Sequence, residues 1–576
     1  MSNPSPRKRW LTAALVLVTA LVVILSARVA LRSEWMHGLV LEKLSAVVAK
    51  MGGPSYSLRI GRVDIDPIGG DLAITDLLLE HDTLLLDSLR TGRNRFLLYA
   101  QSGRISFTGL SYWRLLLHEE VRVATATMHA PVVRYTYASH RDTRIPQTGG
   151  ASPSEGALDL VSIAELVITD ASGTAEDLNG RAPEMAIGRL DVRAQKLRVM
   201  LPKLGGALDW VVGTAQVDIQ DVRAELPPLY DLSIAHIGLL HPQGLASIDS
   251  LRYTPRVDRK TTHAYLREMT SIYALDVKTI ALARVDLYRA FAEQQVEIGS
   301  LTVEGASFDV FLDKTMPEDP SRFKPLPVSA LRNVPFGLRV DTLRLTNAEM
   351  MYSERFVVER GYGNTHLSDI EVTLLNVSND TLLAMADSMM RGTVDAKLFD
   401  KGILHGEYTA PLSSRNDAFK LDVTMRDMPL SAANTMSENL ILLRADSGWI
   451  NSLHFQMHGN NDSAVGDFTL KYSNAWLRIV NDEGKKRGFL TSLVNSTLHH
   501  DSKDRPPEER TERLRIARRK DRSVFNYIWI YSRDGLMHTL LPEALADVQG
   551  GMMKRKANAS KRKGIFGKSA NKKKSP

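Results

Sequence analysis

The 576-residue sequence has no cysteine. That removes disulfides, thiol nucleophiles and cysteine-ligated zinc together, and it suits an oxidising compartment, where stray thiols would cross-link. Signature motifs of the common enzyme classes are also missing: no P-loop, HExxH or GxSxG occurs, and the glycines are scattered at turns. The body lacks excess positive charge as well. The last 26 residues hold ten Lys or Arg and no acid, so removing them takes the net charge from +7 to −3. A slightly acidic body has no broad basic face for nucleic acid.

No polar or charged group forms a convincing reaction centre. His499, His500, Asp501 and Asp504 are the best metal-like cluster, but they sit in a polar loop beside Pro506 and Pro507 and read as a solvated turn. Glu80, His81 and Asp82 read the same way. Glu119 and Glu120 are neighbours on a strand, so their side chains point to opposite faces and do not converge on one bond. Arg513, Arg515, Arg518, Arg519 and Arg522 could meet phosphate; interspersed Glu512 and Asp521 favour a solvated charged face. We expect no enzyme, no cofactor and no metal.

What is present begins at the N-terminus. Arg7, Lys8 and Arg9 precede an apolar run from Trp10 to Ala27, whose eighteen residues would rise about 27 Å as a helix, close to one bilayer core. The run ends Leu25, Ser26, Ala27, Arg28, without an A-x-A-like cleavage pair, so it reads as an uncleaved anchor. The preceding cations outnumber Arg28 and Arg32 after it, which places the body outside the cytoplasm. Residues 1–9 are then a cytoplasmic lead, 10–31 a transmembrane signal anchor, and 32–54 a membrane-proximal amphipathic helix carrying Trp35, Leu39, Leu44, Val47, Val48 and Met51.

From about Tyr56 the period changes from helical to two, as in Phe419, Leu421, Val423 and Met425, or Phe468, Leu470 and Tyr472. Alternation of this kind predicts sheets with one apolar and one polar face, and antiparallel pairing is expected. The chain also repeats. Ile105 to Tyr137 aligns without a gap on Ile280 to Leu312, and each copy enters a Pro-containing linker followed by a matching strand pair, Leu166, Ile168 and Thr169 in one and Leu343, Leu345 and Thr346 in the other. This divides the body into a first β module (55–177), a connecting β region (178–277), a second β module (278–380) and a C-terminal β region (381–500). A charged segment with a terminal helix (501–545) and a basic tail (546–576) follow; Val524, Tyr527, Ile528 and Tyr531 give that helix an apolar side that is either buried or interfacial.

These residues carry a family likeness. The anchor, the segment GRISFTGLSYWRLLLHEEVRVATATMHAPVVRY, the segment VFLDKTMPEDPSRFKPLPVSALRNVPFGLRVDTLRLTNAEMMYSER and the late run ADSGWINSLHFQMHGNNDSAVGDFTLKYSNAWLRIV together resemble AsmA-like proteins of the bacterial envelope. The terminal RSVFNYIWIYSRDGL is similar to the C-terminal end of AsmA-like proteins of the Bacteroidetes type. The resemblance runs from the anchor to about Leu541 and leaves out the basic tail.

It implies a single-pass inner-membrane protein with its bulk in the periplasm, related to TamB and the repeating-β-groove lipid transfer proteins. The implied fold is mainly β: a transmembrane helix, then a long curved antiparallel sheet with duplicated modules, a few short helices and an apolar groove. Its implied role is phospholipid transport or outer-membrane biogenesis. Membrane phospholipid would be the partner, with an outer-membrane or envelope protein as a second. On that reading the groove is lined by Val121, Val123 and Val133 in the first module and by Val296, Ile298, Phe308, Val310, Leu343 and Leu345 in the second. An apolar sheet face needs a cover, and a second sheet, helices or lipid would each serve. The competing expectation is an envelope scaffold that binds a protein by strand addition at an open edge.

Overall fold

The computed structural model describes residues 56–540, apart from internal stretches of which the longest are 112–119, 139–159 and 201–208. The expected anchor, the membrane-proximal helix and the basic tail lie outside the described residues. Among the described residues no helix is long and apolar enough to cross a membrane.

Among the described residues the protein is mainly β, with twenty-one strands and few helices. Two compact units divide at Arg252/Tyr253, within β11 (Leu245–Pro255). In the first unit, β1 (Tyr56–Asp66), β2 (Asp71–His81) and β3 (Phe96–Thr108) pair antiparallel, with a short helix α1 (Leu84–Arg90) between β2 and β3. The strand β3 then meets β4 (Glu120–His129) and β5 (Val132–Tyr137), two collinear pieces that both run parallel to β6 (Leu160–Asp177). Antiparallel pairing resumes through β7 (Met185–Met200), with β8 (Asp209–Val211) on one end of it, to β9 (Thr214–Leu226) and β10 (Tyr230–His241).

In the second unit β12 (Ser271–Val285) pairs antiparallel with β13 (Gln295–Asp313), which runs parallel to β14 (Gly337–Arg355). From there β15 (Gly363–Ser378), β16 (Met389–Leu398), β17 (Gly402–Pro411), β18 (Phe419–Pro429), β19 (Leu443–Gly459), β20 (Ser463–Ile479) and β21 (Thr511–Ala517) follow as an antiparallel meander.

The sheet is therefore mixed, which corrects the expectation of a wholly antiparallel one. Alternation along a strand is the same in both pairings; direction depends on the connection, and a parallel neighbour needs a crossover long enough to bring the chain back. The second Pro-containing linker provides one. In the second unit residues 314–336, with the helix α2 (Pro327–Arg332), return the chain from the end of β13 to the start of β14.

The strands run to 19 residues, and they carry a regular interruption. Asp76, Asp170, Asp221, Asn347 and Asp369 have φ between 48° and 56° in mid-strand. One residue in the left-handed region resets the alternation, so the apolar residues move from even to odd numbers and stay on one face: Leu72 and Ile74 become Leu77 and Leu79 in β2. Asp and Asn tolerate this conformation. Facing two of them across the sheet are glycines. A Cβ on Gly61 would sit 2.9 Å from the Asp76 Cβ, and one on Gly188 would sit 2.8 Å from that of Asp221. The two segments aligned in the sequence share these positions: Gly109 and Arg284, Ala130 and Gly305, and Asp170 and Asn347 all have positive φ.

The main core lies in the second unit. The helix α3 (Asn434–Ile441), the helix α4 (Gly488–Thr497) and above all α5 (Val524–Leu540) accompany its last strands. Tyr527 and Tyr531 of α5 join Phe419, Phe455, Phe468 and Leu470 in one buried cluster. A smaller core around Ile74, Ile105 and Val123 occupies the start of the first unit.

Candidate functional site: apolar rows across the sheet

Strand register converts alternation into rows, because residues paired across a ladder share a face. In the first unit one row reads Val63, Ile74, Ile105, Met128, Ile168, Val192, Val217, Leu239, crossing eight strands without a polar residue. Eight strands span about 34 Å. Beyond the left-handed positions a second row reads Leu58, Leu79, Ala100, Val133, Gly173, Ile187, Val222, Ile234. In the second unit a row reads Ile280, Val303, Leu345, Val372, Val394, Gly406, Val423, Phe455, Phe468, crossing nine strands.

The cover over these rows is uneven. In the first unit Ile74 and Ile105 are buried in the small core, whereas Ile168, Val192, Val217 and Leu239 are half-buried and belong to no core cluster of the described residues. In the second unit the row is half-buried from Ile280 to Val394 and fully buried from Val423 to Phe468. The cause of that change is α5. Tyr531 is fully buried, its ring 5.4 Å from that of Phe455, and its hydroxyl donates to the Gln456 carbonyl at 3.0 Å. Burial pushes the Tyr527 and Tyr531 phenols up, so both stay neutral.

The nine expected lining residues fall in different surroundings. Val121 is half-buried and Val123 buried, both against the small core. Val133 is 38% exposed in the second row of its unit, opposite Gly173, which has no side chain to shield it. Val296 and Ile298 belong to the main cluster with Leu326, Val328 and Leu331 of the α2 segment. Leu343 and Leu345 pair with Leu301 and Val303 and are half-buried. Phe308 and Val310 lie past the left-handed Gly305, Phe308 stacked on Tyr273 at 5.8 Å.

Those last two residues approach a polar end of the sheet. Asp313 and Glu354, both nearly inaccessible, are matched by Arg355 at 3.1 Å and Lys314 at 2.6 Å. Beside them a cavity of about 400 Å³ is lined by Val257, Arg259, Ile272, Asp309, Phe311 and Tyr362 among others. Its charges already meet within the chain: Arg259 pairs with Asp309 and lies 5.5 Å from the centre of the Phe311 ring.

The edge of β20 bears on the strand-addition alternative. Only Ser463–Thr469 of this strand pair with β21. Along the remainder, side chains and loop backbone take the place of a neighbouring strand. Ser502 Oγ accepts from the Tyr472 amide and donates to its carbonyl, both at 3.0 Å. Asn495 accepts from the Leu477 amide at 3.1 Å and donates to its carbonyl at 2.7 Å. The Ala475 amide donates to the His500 carbonyl at 2.8 Å, and Thr491 accepts from the Ile479 amide at 3.1 Å. This stretch is closed to an incoming strand.

That closure also accounts for the metal-like cluster, since His500 stacks on Trp476 at 3.9 Å with Nδ1 2.6 Å from the Ala475 carbonyl oxygen. Among the described residues no three His, Asp or Glu groups are arranged to hold a metal ion. The arginine series splits. Arg513 and Arg515 are exposed on β21, whereas Arg518 is buried, donating to Asn461 Oδ1 at 2.6 Å and to the Lys324 carbonyl.

Sequence reasoning missed the left-handed positions and the sealed edge. The first had a signal, an Asp or Asn between two alternating runs of opposite parity. Asn495 and Ser502 had none, because their partners are set by tertiary contact. No family model and no curated protein matches the chain.

Proposed function

We propose that this chain is an envelope protein, held at the inner membrane by its N-terminal apolar segment, that handles phospholipid by letting acyl chains lie along its apolar rows. One observation carries the reading: apolar rows cross the strands of each unit unbroken, and from β6 to β10 and from β12 to β16 the residues of the traced rows are mostly half-buried. Apolar rows of this length left partly in water are costly. Each lipid methylene laid against them contributes about 0.8 kcal/mol. No side chain has to react, so the scattered, internally paired charges fit a carrier.

Residue-resolved cross-linking tests it. A photoreactive amino acid at Val192 or Val217 should capture phospholipid in cells, while the same group at Arg193, on the opposite face, should not. Native mass spectra of chain extracted in mild detergent should show bound phospholipid. Lipid-free protein, with equal and negligible capture at all three positions, would defeat the proposal. Strand addition is the weaker alternative, because a long stretch of the β20 edge is sealed.

A further inference from the structure

The face of β12 and β13 turned away from the apolar rows carries a hollow that those rows do not explain. Successive residues of a strand point to opposite faces, so Asp309 and Phe311, with their ladder partners Ala274 and Ile272, lie on the other side of the sheet from Phe308 and Val310. Chain from the end of β11, Pro255 to Arg259, forms another wall there, and Tyr362 completes the cavity of about 400 Å³. The described residues that line it all belong to the second unit.

The chain's own bonds hold these walls in place. Arg259 donates through Nη1 to Ser353 Oγ at 3.2 Å and pairs with Asp309 through Nη2, while its carbonyl accepts from Arg355 Nη2 at 3.1 Å. The same Arg355 nitrogen donates to the Tyr362 hydroxyl at 2.9 Å, and Asn439 of α3 donates to the Tyr362 carbonyl at 2.8 Å. Phe311 is fully buried, with the Arg259 and Arg355 guanidiniums 5.5 and 5.8 Å from its ring centre and Tyr362 edge to face at 5.4 Å. Pro255, Val257, Ile272, Ala274 and Phe311 make the lining largely apolar, with a few placed polar groups, which is the character of a small-molecule site.

One of those polar groups is left over. Arg259 holds Asp309 Oδ2, but Oδ1 is buried and has no hydrogen-bond partner. A carboxylate oxygen in that state destabilises the fold until a donor reaches it. The lining carries two carboxylates, Asp258 and Asp309, against the one guanidinium of Arg259, so the donor that suits it is a cation.

We infer that this cavity binds a small primary amine, its apolar body against Val257, Ile272 and Phe311 and its ammonium donating to Asp309 Oδ1. The site is on the opposite side of the sheet from the traced rows, so it stands or falls independently of any lipid held along them. Two sources offer such a group, a free amine and the ethanolamine head group of a phospholipid.

The test uses the full chain in phosphatidylcholine nanodiscs, with empty nanodiscs as background. The probe is 4-fluorophenethylamine, followed by broadening of its fluorine resonance, and 4-fluorophenylethanol is the neutral control of the same shape. The amine should bind about tenfold more tightly than the alcohol, and Asp309→Asn should shrink that preference to about twofold or less. Ala274→Leu, which fills the cavity and touches no ion pair, should remove binding of both probes while melting with the wild type. Displacement of the bound amine by dihexanoyl phosphatidylethanolamine would name a lipid head group as the source; displacement by hexylamine and not by that lipid would name a free amine. Equal affinity for amine and alcohol, a preference that survives Asp309→Asn, or Ala274→Leu binding like the wild type would each overturn the inference.

Discussion

The sheet between β6 and β10 and the sheet between β18 and β20 are written in the same alternating code, yet the apolar row of one is half-buried and that of the other is filled. Ile168, Val192 and Val217 in the first belong to no core cluster of the described residues, while Val423, Phe455 and Phe468 in the second are buried in the cluster that holds Tyr527 and Tyr531 of α5. The difference teaches that alternation specifies a face and leaves its cover unspecified. Where the chain provides its own aromatic helix, the face becomes a core; over the half-buried rows, an apolar ligand is the cover we propose.

The sharpest way to break that comparison is to cut matched side chains in both regions. Phe468→Ala removes a fully buried ring and should cost about 3–5 kcal/mol. Ile168→Ala, half-buried, should cost about 1 kcal/mol. Similar losses in denaturant titrations would mean that the half-buried region is also packed. At the sealed edge, Asn495→Leu strips both partners from the Leu477 backbone and should cost about 1–3 kcal/mol, with new concentration-dependent association in sedimentation velocity if the edge is thereby opened.

A smaller stability effect separates folding from function. Val192→Thr keeps the side-chain shape and adds one hydroxyl to a half-buried site, so it should cost only about 0.5–1 kcal/mol, while phospholipid recovered in native mass spectra falls. Unchanged lipid content would remove β7 from the proposed path. On the polar face the two regions are alike, and the smallest effect is expected there. His236 is held above its usual value chiefly by its hydrogen bond to Asp249, and His405 by that to Asp395. A raised histidine stabilises the fold below its unfolded value of about 6.5 and loses that contribution as pH rises through the folded one. His236→Gln should therefore lower the melting temperature more at pH 5.5 than at pH 8.5. An equal deficit at both values would show that the pair does not titrate with folding.

Much of the fold was legible. Leu343 and Leu345, or Phe419, Leu421 and Val423, announce strands because only a two-residue period places them on one side. The nine expected lining residues do not share one kind of surrounding. Val296, Ile298 and Leu343 look like Leu345 in the sequence, yet the first three join the cluster that holds the α2 segment and Leu345 does not. The return of that segment is a long-range event with no local mark. The parallel step from β13 to β14 was hidden for the same reason, since a strand carries its apolar face irrespective of its neighbour's direction.

By itself the sequence determined the strands, their two-faced character, the left-handed breaks at Asp170 and Asn347, and the absence of cysteine chemistry. These are local consequences of side-chain period, backbone preference and residue type. Tertiary structure alone decided which apolar rows became core, which strands run parallel and which edge is capped, because each depends on residues far apart in the chain arriving at the same place. Tyr531 on Phe455, and Asn495 on the Leu477 backbone, are contacts of that kind.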